Sequence, residues 1–341
     1  MQDVLTTQHL QLEADFDSPA SRIAIAKAAR LLQQNKLVAF PTETVYGLGA
    51  NATNAQAVES IFAAKERPHW DPLIVHVSDV RMMARVTAAV PKSAQALMEA
   101  FWPGPLTLLL PRASDLPLAV TANRPLVGVR MPRHDAALSL IAAAGIPIAA
   151  PSANRFGHTS PTTAQHVLAD LATRIDAVLD AGPTEVGLES TVFDPATLTL
   201  YRPGAITQAM LEAALGTLIS LHTPIAGTES PSPGTALRHY APTAPLQLAS
   251  SEAELQYLTT LALAANQSVA VLLPDNWQVD PRATTLPFGS WTDPEALAHN
   301  LFAGLRALDA LNPSTIICPM PQGDGLPTAL RDRLTRAARK T

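Results

Sequence analysis

Four basic side chains stand where a fold could aim them: Lys65 and Arg67 at the end of a predicted helix, Arg130 after the apolar run Val127-Gly128-Val129, and Arg202 before Pro203-Gly204. Only five of the 24 basic residues are lysines, so a lysine inside a motif stands out. Around them lie segments rich in hydroxyls: Pro41-Thr42-Glu43-Thr44-Val45-Tyr46-Gly47-Leu48-Gly49, Pro151-Ser152-Ala153-Asn154, Ser160-Pro161-Thr162 and Glu189-Ser190-Thr191, with His239-Tyr240 further on. Each has an ordinary structural reading. Basic residues in a last helical turn compensate the helix dipole; Ser152 and Asn154 suit a Ser or Asx turn as well as a phosphate or ribose contact; Arg130 is either a surface residue or an anion clamp. Together, cationic groups at element ends with hydroxyls beside them suggest a polyanion held by side chains, and a nucleotide triphosphate is the natural candidate. No G-x-x-x-x-G-K-[ST] loop, G-x-G-x-x-G, H-E-x-x-H or G-x-S-x-G occurs, which removes support for common NTPase, dehydrogenase, zincin and α/β-hydrolase assignments. Ser152, His76 and several aspartates exist, as they would in most chains, and nothing arranges them as a hydrolytic triad.

Such side chains need elements to place them. Short apolar runs at residues 37–40, 73–77, 106–110, 127–131, 146–150, 177–179 and 191–193 alternate with helical patterns at 21–34, 55–65, 93–101, 135–144 and 163–172, the signature of an α/β domain. Several strands run straight into Pro41, Pro111, Pro132 or Pro151, and a residue without an N–H marks a strand end, where sites on open sheets gather. Residues 220–244 are rich in Pro, Gly, Ser and Thr without periodicity, a linker or a lid over the site. Beyond them, strands at 246–248, 269–273 and 315–318, and Leu297, Leu301, Leu305 and Leu308 at helical spacing, predict a second α/β domain. The expected boundaries are 1–217, 218–244 and 245–341. At 341 residues and 47% hydrophobic the chain can bury two cores, and its net charge of −5 disfavours an electrostatic nucleic-acid or membrane binder. The single cysteine, Cys318, excludes a disulfide framework and a cysteine-based zinc site. Without a membrane-length apolar stretch or signal-peptide pattern, a cytoplasmic protein is expected.

Read in order, the segments 41–49, Lys65-x-Arg67-Pro68, Trp102-Pro103-Gly104-Pro105, Val129-Arg130-Met131-Pro132, Pro151-Ser152-Ala153-Asn154, Glu189-Ser190-Thr191-Val192, Arg202-Pro203-Gly204, and Ser232-Pro233-Gly234 with His239-Tyr240-Ala241-Pro242 closely resemble the threonylcarbamoyl-AMP synthases, the YrdC-like family, in its long two-domain form. The resemblance implies a twisted mixed sheet with helices, followed by a smaller Rossmann-like α/β domain. It implies a nucleotidyltransferase that makes threonylcarbamoyl-AMP and pyrophosphate from L-threonine, bicarbonate and ATP for tRNA threonylcarbamoyladenosine. By the same carry-over, Thr44, His76, Arg130, Ala150 and Ser190 would contact threonine, while Lys65, Arg67, Asp71, Ser152, Asn154, Ser160, Arg202 and His239 would surround ATP. Mg²⁺ would accompany ATP without dedicated protein ligands, and the implied partners are tRNA and the downstream tRNA threonylcarbamoyl transferase complex. Leu126, Phe156, Ala181, Thr235 and Leu237 depart from the family's usual pattern, which touches adenine and ribose contacts more than the reaction. The competing class is a double-stranded RNA or tRNA-binding module of the same fold, since residues 331–340 carry five basic side chains; an amphipathic helix with a solvated charged face accounts for them too.

Overall fold

The structure, a computed structural model, describes residues 5–223 and 239–339. Ser232-Pro233-Gly234 and most of the expected lid therefore lie outside the described residues, while His239 and Tyr240 lie within them.

Eleven strands form one mixed sheet, in the spatial order Gln8–Gln11, Ala177–Asp180, Val38–Phe40, Gly47–Asn51, Ile148–Ala149, Ile74–His76, Leu126–Arg130, Leu106–Pro111, Thr191–Asp194, Thr199–Arg202, Ser220–Leu221. Every predicted strand of the first domain is present. The edge strands Gln8–Gln11 and Ser220–Leu221 are additions, the latter inside the expected linker. The strand Gly47–Asn51 is a further addition, since Gly-Leu-Gly reads as a turn. Its glycines serve close packing instead: a Cβ at Gly49 would come within 2.9 Å of both Phe40 and Ile148.

Helices start and stop where local chemistry allows. Asn54 accepts the Ala57 N–H at 2.9 Å to cap Ala55–Lys65, and Glu66 at φ 56° ends that helix in a left-handed turn, sending Arg67 back toward the sheet. Ser18 caps Pro19–Gln33 with proline in its first turn.

The second sheet is all parallel: Leu246–Ala249, Thr315–Pro319, Val269–Pro274 and Thr284–Gly289 in spatial order. Its residues alternate between faces. Val269 and Val271 pack with Leu255 and Ala262 of helix Glu252–Ala264, whereas Ala270 and Leu272 pack with helices Pro294–Asp309 and Leu326–Ala337. A sheet covered on both faces is the Rossmann-like arrangement expected. Val45, Leu188 and Tyr240 share a core with Phe302, Leu330 and Leu334, so the helices of the second domain pack directly on loops of the first. Gly187 makes this closeness possible: at φ 78° its ideal Cβ would lie 2.7 Å from the Ala298 carbonyl oxygen.

Candidate active site

One cavity opens where the strands of the large sheet end. It is lined by Thr44, Arg67, His76, Arg130, Ala150, Ser152, Ser190, Arg202 and His239 from the expected set, joined by Thr42, Glu189 and Tyr240. Register explains the first of these: His76 and Arg130 are Cα partners in a parallel ladder, so their side chains leave the same face, and Val75 pairs Ala149, which puts Ala150 beside them.

Arg130 is buried and already oriented. Its Nε donates to the Gly104 carbonyl at 3.3 Å, Nη1 to Thr44 Oγ1 at 2.9 Å, and Nη2 pairs with Glu43. Two of the guanidinium's N–H donors remain for a ligand. Thr42 Oγ1 fixes the loop by donating to the Val45 carbonyl at 2.7 Å, and it lies 2.8 Å from Thr44 Oγ1. His76 is neutral: burial, then the charge of Arg130, pull it down to about 3.

At the other end Arg67 is held by Asp71 at 2.9 Å and by the carbonyl of Pro72 at 2.7 Å, with its guanidinium 5.8 Å from the Phe156 ring. Arg202 donates to the Ser190 carbonyl at 2.9 Å and to Ser190 Oγ at 3.1 Å. His239 sits edge-on between Phe156 and Tyr240. Burial first, then Arg67, Lys65, Arg202 and Arg333, keep its imidazole neutral, so it can offer a hydrogen bond but no positive charge. Tyr240 is pushed up to about 12, mainly by burial.

Lys65, Asp71, Asn154 and Ser160 do not line the cavity; they stand one layer behind it. Lys65 Nζ donates to the carbonyls of Ser152 and Asn154, and burial, reinforced by Arg67, drives its pKa well below the usual lysine value. It is a strut for the Ser152 loop. Asn154 Nδ2 braces the same loop by donating to the carbonyls of Arg155 and His158, each at 2.8 Å. Ser160 Oγ donates to Glu189.

Glu43 and Arg333 escaped the sequence reading. Glu43 carries no signal, because its partner lies 87 positions away. Arg333 carried one: with Leu330, Leu334 and Ala337 it completes a stripe at positions i, i+3, i+4 and i+7, hence on the buried face. Arg333 and Arg336 are both buried, whereas Arg331 is half-buried and Arg339 exposed, so a solvated charged face accounts for only part of this stretch. Arg306 of the second domain also reaches across, pairing Asp170 at 2.6 Å and donating to the Thr159 and Ser160 carbonyls.

The Telomere recombination family model, of Sua5, YciO and YrdC proteins, matches residues 30–204, and the Threonylcarbamoyl-AMP synthase C-terminal domain matches residues 206–339. The threonylcarbamoyl-AMP synthase of Bacillus subtilis is 43% identical over 320 residues, 92% of each chain. That of Pyrococcus abyssi is 37% identical over 321 residues, 91% of this chain and 93% of the relative. A crystal structure of P. abyssi Sua5 complexed with L-threonine superposes with a TM-score of 0.89 at 35% identity, covering 97% of both chains. With both domain models matched in order and relatives this similar over nearly their whole length, the chain belongs to the threonylcarbamoyl-AMP synthase family.

Proposed function

We propose that the protein condenses L-threonine, bicarbonate and ATP into threonylcarbamoyl-AMP, releasing pyrophosphate, as the first step of tRNA threonylcarbamoyladenosine synthesis. The observation that carries this reading is one cavity lined by Arg130, beside His76, and by Arg67 and Arg202, grouped around His239. The threonine carboxylate and the triphosphate are both anionic, and holding them together is most of the catalytic task.

In this reading Arg130, oriented by Glu43 and Thr44, grips the threonine carboxylate, with His76, Ala150 and Ser190 around the rest of the amino acid. Arg67, Ser152, Arg202 and His239 face the nucleotide, and Lys65, Asp71, Asn154 and Ser160 hold those groups in place. The threonine ammonium gives up a proton, and its free nitrogen bonds to the carbon of bicarbonate with loss of water, leaving a carbamate anion. The resulting carbamate oxygen then bonds to the α-phosphorus as the bond to pyrophosphate breaks, making the enzyme a nucleotidyltransferase. The cationic groups stabilise the leaving pyrophosphate.

Among the described residues no three His, Cys, Asp or Glu side chains gather as a metal cage. The nearby carboxylates are engaged, Asp71 with Arg67 and Glu189 with Arg333, so the Mg²⁺ expected with ATP is assigned no protein ligand. Transfer of the product to a downstream tRNA threonylcarbamoyl transferase, and contact with tRNA, belong to the same proposal. No helix among the described residues is long and apolar enough to cross a membrane, and a cytoplasmic location is proposed with the pathway. The test is pyrophosphate release from ATP, Mg²⁺ and bicarbonate: it should require L-threonine, and release that ignores threonine would refute the reading.

A further inference from the structure

Helix Leu326–Ala337 brings a charged side chain to the back of the cavity wall without exposing any of it. Arg333 is fully buried. Its Nε donates to Glu189 Oε2 at 2.8 Å, Nη2 to the Pro203 carbonyl at 3.0 Å and Nη1 to Asp332 at 2.7 Å, and its guanidinium carbon lies 5.3 Å from the Tyr240 ring. Since Ser160 donates to the other oxygen of Glu189, that carboxylate is fixed at both ends. Burying a guanidinium only to join two domains is a poor bargain, because apolar side chains do as well. This interface already has them in Val45, Leu188, Phe302 and Leu330. What they cannot do is cancel the charge of Glu189, which lines the same cavity as Arg67 and Arg202.

Resting on the ATP-dependent reading above, we propose that Arg333 is a positioning residue for the nucleotide. By neutralising Glu189 and holding the Pro203 carbonyl next to Arg202, it lets the second domain set the electrostatics of the triphosphate end. Without it, Glu189 would face a polyanion uncompensated in a low-dielectric site. Arg130 donates its hydrogen bonds to residues 43, 44 and 104, none of which Arg333 bonds, so the carboxylate grip should not sense the loss.

The experiment is calorimetric titration of the full chain with ATP and Mg²⁺, and separately with L-threonine, for wild type, Arg333→Gln and the double variant Glu189→Gln/Arg333→Gln. Arg333→Gln is expected to weaken ATP binding about tenfold or more with threonine affinity within about twofold, and the double variant to recover ATP affinity to within about threefold of wild type, because the stranded charge is gone. If ATP and threonine weaken alike, or the double variant binds ATP no better than the single one, Arg333 is structural only and the proposal is overturned. Should Arg333→Gln not fold, Arg333→Lys carries the test: it keeps the charge but not the forked reach, so ATP should weaken about threefold with threonine unchanged, and unchanged ATP affinity overturns the proposal. A wild type that binds ATP and threonine yet shows no threonine-dependent pyrophosphate release refutes the proposed reaction while these affinities still decide the role of Arg333.

Discussion

The two ends of the cavity are braced by different parts of the chain. At the Arg130 end, backbone register does the placing: His76 and Arg130 are ladder partners, and Ala150 follows the strand beside them. At the other end Arg202 also closes a paired strand, Thr199–Arg202, but the wall around it is braced by side chains of the second domain, with Glu189 held by Arg333 and the Ser160 carbonyl by Arg306. A wall set by register stands with its sheet. A wall set by side chains needs the second domain seated, which makes that domain part of the site and not an appendage.

The most severe break should come from Arg130→Ala. It removes the proposed carboxylate grip and strands buried Glu43, so stability should fall by about 3–5 kcal/mol and threonine binding by about 2–3 kcal/mol, with poor rescue by lysine. Denaturant titration and calorimetry read these, and unchanged threonine affinity would reject the role. Next comes the seating of the second domain. Gly187→Ala forces a Cβ against the Ala298 backbone at a strained φ and should cost about 1–3 kcal/mol, with ATP affinity falling more than threonine affinity; equal losses would mean that the two ends are not separable in this way.

Acid should strain the register-set end. His76 is held at about 3 against 6.5 in the unfolded chain, so between those values the unfolded state binds the extra proton. The stability present above pH 6.5 is therefore lost as pH falls toward 3, at up to about 1.4 kcal/mol per pH unit from this group. His76→Asn should flatten the dependence in urea titrations at pH 7 and pH 5, and an equally steep variant would contradict the assignment. A smaller effect is expected from Lys65→Met, which leaves two carbonyls of the Ser152 loop without their donor and should cost about 1–2 kcal/mol. A lysine acting as a direct phosphate contact would instead show ATP affinity lost with stability unchanged.

The strand ends were legible in the sequence because proline and a basic residue punctuate them, and the helix Ala55–Lys65 was legible to its last residue because Asn54 and its periodicity mark it. What stayed hidden was long-range. Gly47–Asn51 reads as a turn until Phe40 and Ile148 are seen packing where a Cβ would go. Lys65 reads as dipole compensation in a last helical turn or as one of the groups around ATP, and its burial against two carbonyls shows only once distant segments are brought together. Arg333 lay on an apolar stripe, but an arginine is expected in solvent unless its partner is visible, and Glu189 is 144 positions away.

The contrast between the two ends is tested most directly by hydrogen–deuterium exchange with each ligand alone. ATP with Mg²⁺ should protect helix Leu326–Ala337 and the strand Thr199–Arg202, whereas L-threonine should protect residues 42–47 and the strand Leu126–Arg130 and leave that helix as it was. Identical protection by both ligands, or no change in the helix with ATP, would contradict the account that the second domain completes the nucleotide end.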